Sequence, residues 1–203
     1  MTTSIQRANI ARLLQGDLVL NLPNILTMSR ILIIPLVVAT FFFDSPAMRW
    51  TAVILFSIAG ITDFFDGYLA RRANQVSSLG RFLDPIADKL LVASVLLLIV
   101  AFDRVGRWSY LPALVILLRE IMVSGLREFL AELRVSVPVT KLAKAKTTVQ
   151  MIALGFLIVG SASPFWIPAE FIGEIGIWVA AVITLITGYD YLKAGLRHMA
   201  SGS

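Results

Sequence analysis

The stretch ITDFFDGYLARRANQVSSLGRFLDPIADKLL, residues 61–91, decides how this chain is to be read. Two apolar runs meet there, and four aspartates interrupt them: Asp63, Asp66, Asp84 and Asp88. Asp63 and Asp66 are three residues apart, and Gly67 and Ala70 continue their stripe, so the four share one face of a helix. Gly80, Asp84 and Asp88 follow one another at intervals of four and share a face of the next helix. With a short polar connection between them, the two helices are expected to run antiparallel and to bring the four carboxylates together at one end.

Outward from this segment the chain is strongly apolar. Of 203 residues, 58% are hydrophobic and 15% charged, and mean hydropathy is +0.83. A water-soluble domain is nearer 45–50% apolar and 25% charged, so a cytosolic fold and intrinsic disorder are both excluded as readings. There is no cysteine, hence no disulfide framework, thiolate metal site or cysteine nucleophile. The one histidine, His198, leaves no multi-histidine zinc site.

A bilayer span takes about 20 mostly apolar residues. Six stretches qualify, at roughly 23–43, 50–69, 83–102, 110–131, 148–163 and 171–194. The expectation is therefore an all-α integral membrane protein, a single domain over 1–203, with a six-helix transmembrane region at 23–196. Residues 1–22 read as a cytoplasmic juxtamembrane segment, with a short interfacial helix as an option. Six spans put both termini on one side, and most lysines and arginines fall there. Only Arg49, Arg104 and Arg107 lie by the opposite loops. Lysine and arginine excess marks the cytoplasmic side, so the expected location is the cell membrane, with both termini and the aspartate cluster cytoplasmic. The net charge of +5 is then a topology device rather than a nucleic-acid surface.

A carboxylate within a membrane helix costs about 2.5–3.5 kcal/mol or more. Four together repel unless cations lie between them. Oxygen-only sites suit hard cations such as Mg²⁺ or Mn²⁺. Gly67 and Gly80 remove side chains beside the acids, and Arg71 stands one turn past Gly67 to meet an anion. Metal, arginine and small residues together describe a phosphate site. The bland alternative is acids at helix ends paired with Arg71, Arg81 and Lys89; four acids on two faces weigh against it.

The spacing D-x2-D-G-x2-A-R-x8-G-x3-D-x3-D is met by Asp63, Asp66, Gly67, Ala70, Arg71, Gly80, Asp84 and Asp88. It resembles the signature of the CDP-alcohol phosphotransferases, membrane enzymes of phospholipid synthesis. The resemblance implies that an alcohol attacks the β-phosphorus of a CDP-linked lipid and that CMP leaves. It implies two divalent cations, Mg²⁺ or Mn²⁺, held by Asp63, Asp66, Asp84 and Asp88, with Asp88 also the general base. Thr27, Asp63, Gly67, Arg71 and Ser77 fall where the family contacts the CDP-lipid. A homodimer is also implied.

The acceptor must be chosen elsewhere. Span four carries LLREIMVSGLRE, with Arg119 and Glu120 near mid-membrane and Arg127 eight residues on, roughly the same face. Lys141, Lys144 and Lys146 precede span five. Arginines at depth with lysines at a helix start can form a pocket for a second anion. Pairing of Arg119 with Glu120, Glu128 or Glu132, and simple positive-inside anchoring by the lysines, are the competing readings. These stretches, with the NLPN opening, resemble the phosphatidylglycerophosphate synthase branch. That branch implies CDP-diacylglycerol and sn-glycerol 3-phosphate as substrates, and Arg119, Arg127, Lys144 and Lys146 as the acceptor-phosphate contacts. Another acceptor, inositol phosphate or serine, and a divalent-cation transporter are the rival readings. The transporter lacks an acidic relay toward the outer face. Asp190 reads equally as a cavity residue or as a partner of Lys193, and Trp50, Trp108, Trp166 and Trp178 read as interfacial or packing residues.

Overall fold

A computed structural model describes residues 22–73, 78–133 and 140–201, and within them the side chains other than those of 22–24, 63–73, 78–82, 84, 132 and 197–201. The described residues form six α-helices, a single 3₁₀ turn and no strand: α1 Leu22–Phe41, α2 Pro46–Ala73, α3 Ser78–Ala101, α4 Tyr110–Glu132, α5 Lys141–Val159 and α6 Ala169–Ser201. The expectation of an interfacial helix within residues 1–22 falls almost wholly outside the described residues, which begin at Leu22.

Local chemistry sets the helix starts. The Ser45 hydroxyl accepts from the Met48 N–H at 3.3 Å, and Pro46 occupies the first helical position of α2, where a missing N–H costs nothing. Thr140 caps α5 in the same way, accepting from Ala143 N–H at 3.1 Å. That cap starts α5 seven residues before the apolar run at 148, because lysines are good helix formers and apolarity is no condition for helix. Helix α5 ends at Gly160, whose φ of 48° is the left-handed conformation that glycine adopts without strain. Helix α1 runs through Pro35 unbroken.

Packing is most extensive between α5 and α6, then between α1 and α2, α4 and α6, and α1 and α3. The shared core holds Phe41 of α1, Phe56 of α2, Leu91 and Ile99 of α3, Ile116 of α4, Leu154 and Leu157 of α5 and Ile177 of α6. Small residues allow the closest approach: a Cβ on Gly176 would lie 2.7 Å from that of Ala153. The distribution of polarity is inverted relative to a soluble protein. Leu32, Ile54, Leu118, Ile121, Phe171 and Leu185 face outward, whereas Arg30, Lys146, Gln150, Thr184 and Thr187 are buried. By length and composition, Lys141–Ala162 and Ala169–Leu196 are apolar enough to cross a membrane, and Ile25–Phe41 and Pro46–Thr62 are shorter apolar helices. This is the distribution expected of a helical protein surrounded by lipid.

One end of the bundle is clamped by polar contacts. Arg104 donates from Nη1 to the carbonyl of Ile158 at 3.1 Å and lies 4.0 Å over the Phe41 ring. The Trp50 indole donates to Ala162 O at 3.2 Å, and the Gly106 N–H donates to Glu174. The residues of chemical interest gather at the other end.

Candidate active site

Asp88 sits ten residues into α3, one turn after Asp84, and α3 is helical through both. Helix α2 likewise remains helical through Asp63, Asp66, Gly67 and Arg71, so the two shared faces inferred from the sequence exist on the backbone. The side chains of Asp63, Asp66, Gly67, Arg71 and Asp84, and residue Ser77 altogether, lie outside the described residues. Among described side chains Asp88 alone represents the quartet.

Asp88 borders two cavities of opposite character. The first, about 250 Å³, is polar and is lined by Asp88 and Lys89 of α3, Arg119, Glu120 and Arg127 of α4, Lys146 of α5 and Tyr191 of α6. Four cations and two carboxylates face it, leaving an excess of two positive charges. The second, about 480 Å³, is mostly apolar and lies between Phe56, Gly60 and Ile61 of α2 and Met151, Ile152 and Gly155 of α5. Glycines keep this groove open, since a Cβ on Gly60 would come within 2.9 Å of Met151 Cε.

Helix direction explains why these residues meet. The first half of α3, α4 from Arg119 onward, the start of α5 and the second half of α6 all end up at the same level, opposite the Arg104 clamp. Arg119 is anchored there on several sides. Its Nη2 donates to Thr187 Oγ1 at 3.1 Å, its Nη1 lies 3.7 Å from Glu120 Oε1, and its guanidinium is 5.7 Å from the Tyr191 ring centroid. A Cβ on Gly188 would crowd Arg119 Cγ at 3.1 Å, so glycine there makes room for the arginine. The same Glu120 oxygen accepts from the Lys146 ammonium, which is 3% exposed. Lys89 donates to Ser124 Oγ. Arg119 Nε is buried and has no partner among the described residues. Such an orphaned donor is expensive unless a ligand accepts from it.

The sequence-predicted residues are therefore distributed as follows. Asp88, Arg119, Arg127 and Lys146 line one cavity. Lys144 does not line it: two residues from Lys146 is about 200° around a helix, and Lys144 is exposed. Thr27 is buried on α1, one turn before the fully buried Arg30. Asp190 is exposed, while its neighbour Tyr191 turns into the cavity. Glu120, Lys89 and Tyr191 were not singled out from sequence as members of the site. A signal for the last existed: Thr184, Thr187 and Tyr191 form a polar stripe at intervals of three and four along the apolar stretch of α6.

The donor set fits divalent metal. With no cysteine in the chain and His198 its only histidine, the four aspartates offer oxygen alone, which hard cations take. Asp88 shows that at least one of them opens onto the cavities rather than into lipid.

Comparison with known proteins agrees. A family model described as CDP-alcohol phosphatidyltransferase matches residues 20–186. The CDP-diacylglycerol–glycerol-3-phosphate 3-phosphatidyltransferase of Rickettsia bellii is 52% identical over 174 residues, covering 86% of this chain and 94% of the relative. Proteins of the same name from Shigella flexneri and Cereibacter sphaeroides are 42% and 39% identical, covering 86% and 88% of this chain and 94% and 97% of their own. The chain belongs to the CDP-alcohol phosphatidyltransferase family.

Proposed function

We propose that the protein transfers the phosphatidyl group of CDP-diacylglycerol to sn-glycerol 3-phosphate, giving phosphatidylglycerophosphate and CMP. The observation that carries this reading is the position of Asp88 where a cationic cavity and an apolar groove meet. A lipid diphosphate at Asp88 can send its acyl chains along the groove between α2 and α5. An anionic acceptor can enter from the cationic side, where Lys89, Arg119, Arg127 and Lys146 outnumber Glu120. A neutral acceptor such as serine leaves that charge unmatched. The relatives' names support the same pair of substrates.

In this reading Asp63, Asp66, Asp84 and Asp88 hold two divalent cations, Mg²⁺ or Mn²⁺. Bound there, the cations neutralise the diphosphate and make the attacking hydroxyl more acidic. Asp88 accepts the proton as the acceptor oxygen bonds to the β-phosphorus and the bond to the CMP phosphate breaks. Arg119, Arg127 and Lys146 hold the acceptor's phosphate, with Lys144 outside the cavity at the same end of α5. Thr27, Asp63, Gly67, Arg71 and Ser77 contact the CDP-lipid. Six spans, with both termini and the site cytoplasmic, place the charged acceptor's entrance in water, and the bias of lysine and arginine supports that topology.

The test is CMP release by protein purified in detergent with CDP-diacylglycerol and a panel of alcohols, with and without EDTA. Release that requires both glycerol 3-phosphate and divalent metal is expected. Release driven only by inositol phosphate or serine would replace the acceptor, and metal-independent release would remove the cations.

A further inference from the structure

Glu120 lines the cationic cavity, and the proposed chemistry gives this acid no task. An acid beside an anion site weakens it by repulsion unless it does something else. Its contacts say what. One oxygen, Oε1, accepts from Lys146 and lies 3.7 Å from Arg119 Nη1. It thus joins a cation from α5 to a cation from α4, two helices that otherwise meet through α3 and α6. Lys146 is 3% exposed, and a long flexible side chain at that depth needs a fixed anion both to offset its desolvation and to hold one rotamer. Arg119 needs no such help with orientation, because Thr187 and Tyr191 already fix it. The partner that Glu120 positions is Lys146.

We infer that Glu120 is a positioning residue for the acceptor: it aims the Lys146 ammonium, alongside Arg119, at one phosphate. This rests on the proposed reading of the cavity as the acceptor-phosphate site. The alternative physical role is a seat-holder, a carboxylate that occupies the phosphate's place and must be displaced. The two make opposite predictions, because removing the charge loosens Lys146 in the first and frees it in the second.

The experiment is steady-state CMP release by Glu120→Gln, Lys146→Met and the double variant, varying glycerol 3-phosphate and CDP-diacylglycerol separately. Gln keeps the shape and one acceptor oxygen while removing the charge. Positioning predicts an acceptor KM about tenfold higher for Glu120→Gln, the cost of weakening one charge-assisted hydrogen bond. The lipid KM should stay within about twofold. The double variant should be no worse than Lys146→Met alone, since Glu120 acts only through Lys146. An acceptor KM that falls or stays put, additive effects in the double variant, or equal rises for both substrates each overturn the inference. Glu120→Asp separates position from charge: it restores the charge one methylene short, so it should recover only part of the acceptor KM, and full recovery would contradict a geometric role. Wild-type protein that releases no CMP in response to glycerol 3-phosphate would instead overturn the proposed function.

Discussion

Replacing Lys146 by Met isolates the acceptor site. Met preserves most of the side chain's bulk in a position 3% exposed, so the bundle should keep its packing while one buried cation disappears. Arg119 remains 3.7 Å from Glu120 and keeps its 3.1 Å bond to Thr187, so the rest of the cavity wall stays in place. What the acceptor loses is one charge-assisted hydrogen bond from a buried ammonium, about 1.5–3 kcal/mol. That corresponds to a fall of about 10- to 150-fold in kcat/KM for glycerol 3-phosphate. Because Lys146 borders the polar cavity and not the apolar groove, the KM for CDP-diacylglycerol should change by less than about twofold. The assay is CMP release at fixed saturating lipid with glycerol 3-phosphate varied, then the reverse. Equal rises in both KM values, or no change in either, would refute the placement of the acceptor's phosphate at Lys146.

Three further outcomes follow from the same geometry. Asp88→Asn should lower kcat by about 10²–10⁴-fold while CDP-lipid binding, measured calorimetrically in detergent, survives; loss of binding in parallel would make Asp88 chiefly a metal ligand. Gly176→Ala should destabilise the α5–α6 contact by about 1–3 kcal/mol, read as a lower unfolding temperature in detergent. A Cβ there would stand 2.7 Å from that of Ala153, so an unchanged or higher temperature would contradict that approach. Arg104→Leu strips the 3.1 Å bond to the Ile158 carbonyl and the contact with the Phe41 ring, and should lower stability by about 1–3 kcal/mol. Activity per folded molecule should be unaffected, since Arg104 lies at the opposite end from Asp88; a selective loss of kcat would show coupling that this packing does not provide.

Much of the fold was legible because six apolar runs in the sequence coincide with six helices to within a few residues at most ends. Two ends differ by seven residues: α6 runs on to Ser201 rather than 194, and α5 starts at Lys141 rather than 148. The second has a clear cause. Apolarity locates the part of a helix that meets lipid, whereas Thr140 and the lysines that follow it locate the helix itself. The paired faces of Asp63–Asp66 and Asp84–Asp88 were readable from spacing alone, since α2 and α3 stay helical through them. Arg119 and Arg127 stood out as charges in an apolar run, and Lys146 as one of the lysines at the next helix start. Their common cavity did not, because it depends on how α4 lies across α5 and α6, and no periodicity within one helix encodes that. The same holds for Glu120, which sequence offered only as a neighbour of Arg119, and whose second partner is 26 residues away. Asp190 drew attention as a carboxylate between two tyrosines in the last span. One step of about 100° separates it from Tyr191, and it is the tyrosine that lines the site.

The proposed chemistry requires Asp63, Asp66, Asp84 and Asp88 together to hold the divalent cations at which the lipid diphosphate reacts. Anomalous diffraction from Mn²⁺-soaked crystals measures this directly. Two manganese peaks are expected among these four carboxylates, both lost in Asp84→Asn. Four carboxylates turned away from one another, with no anomalous signal between them, would contradict it.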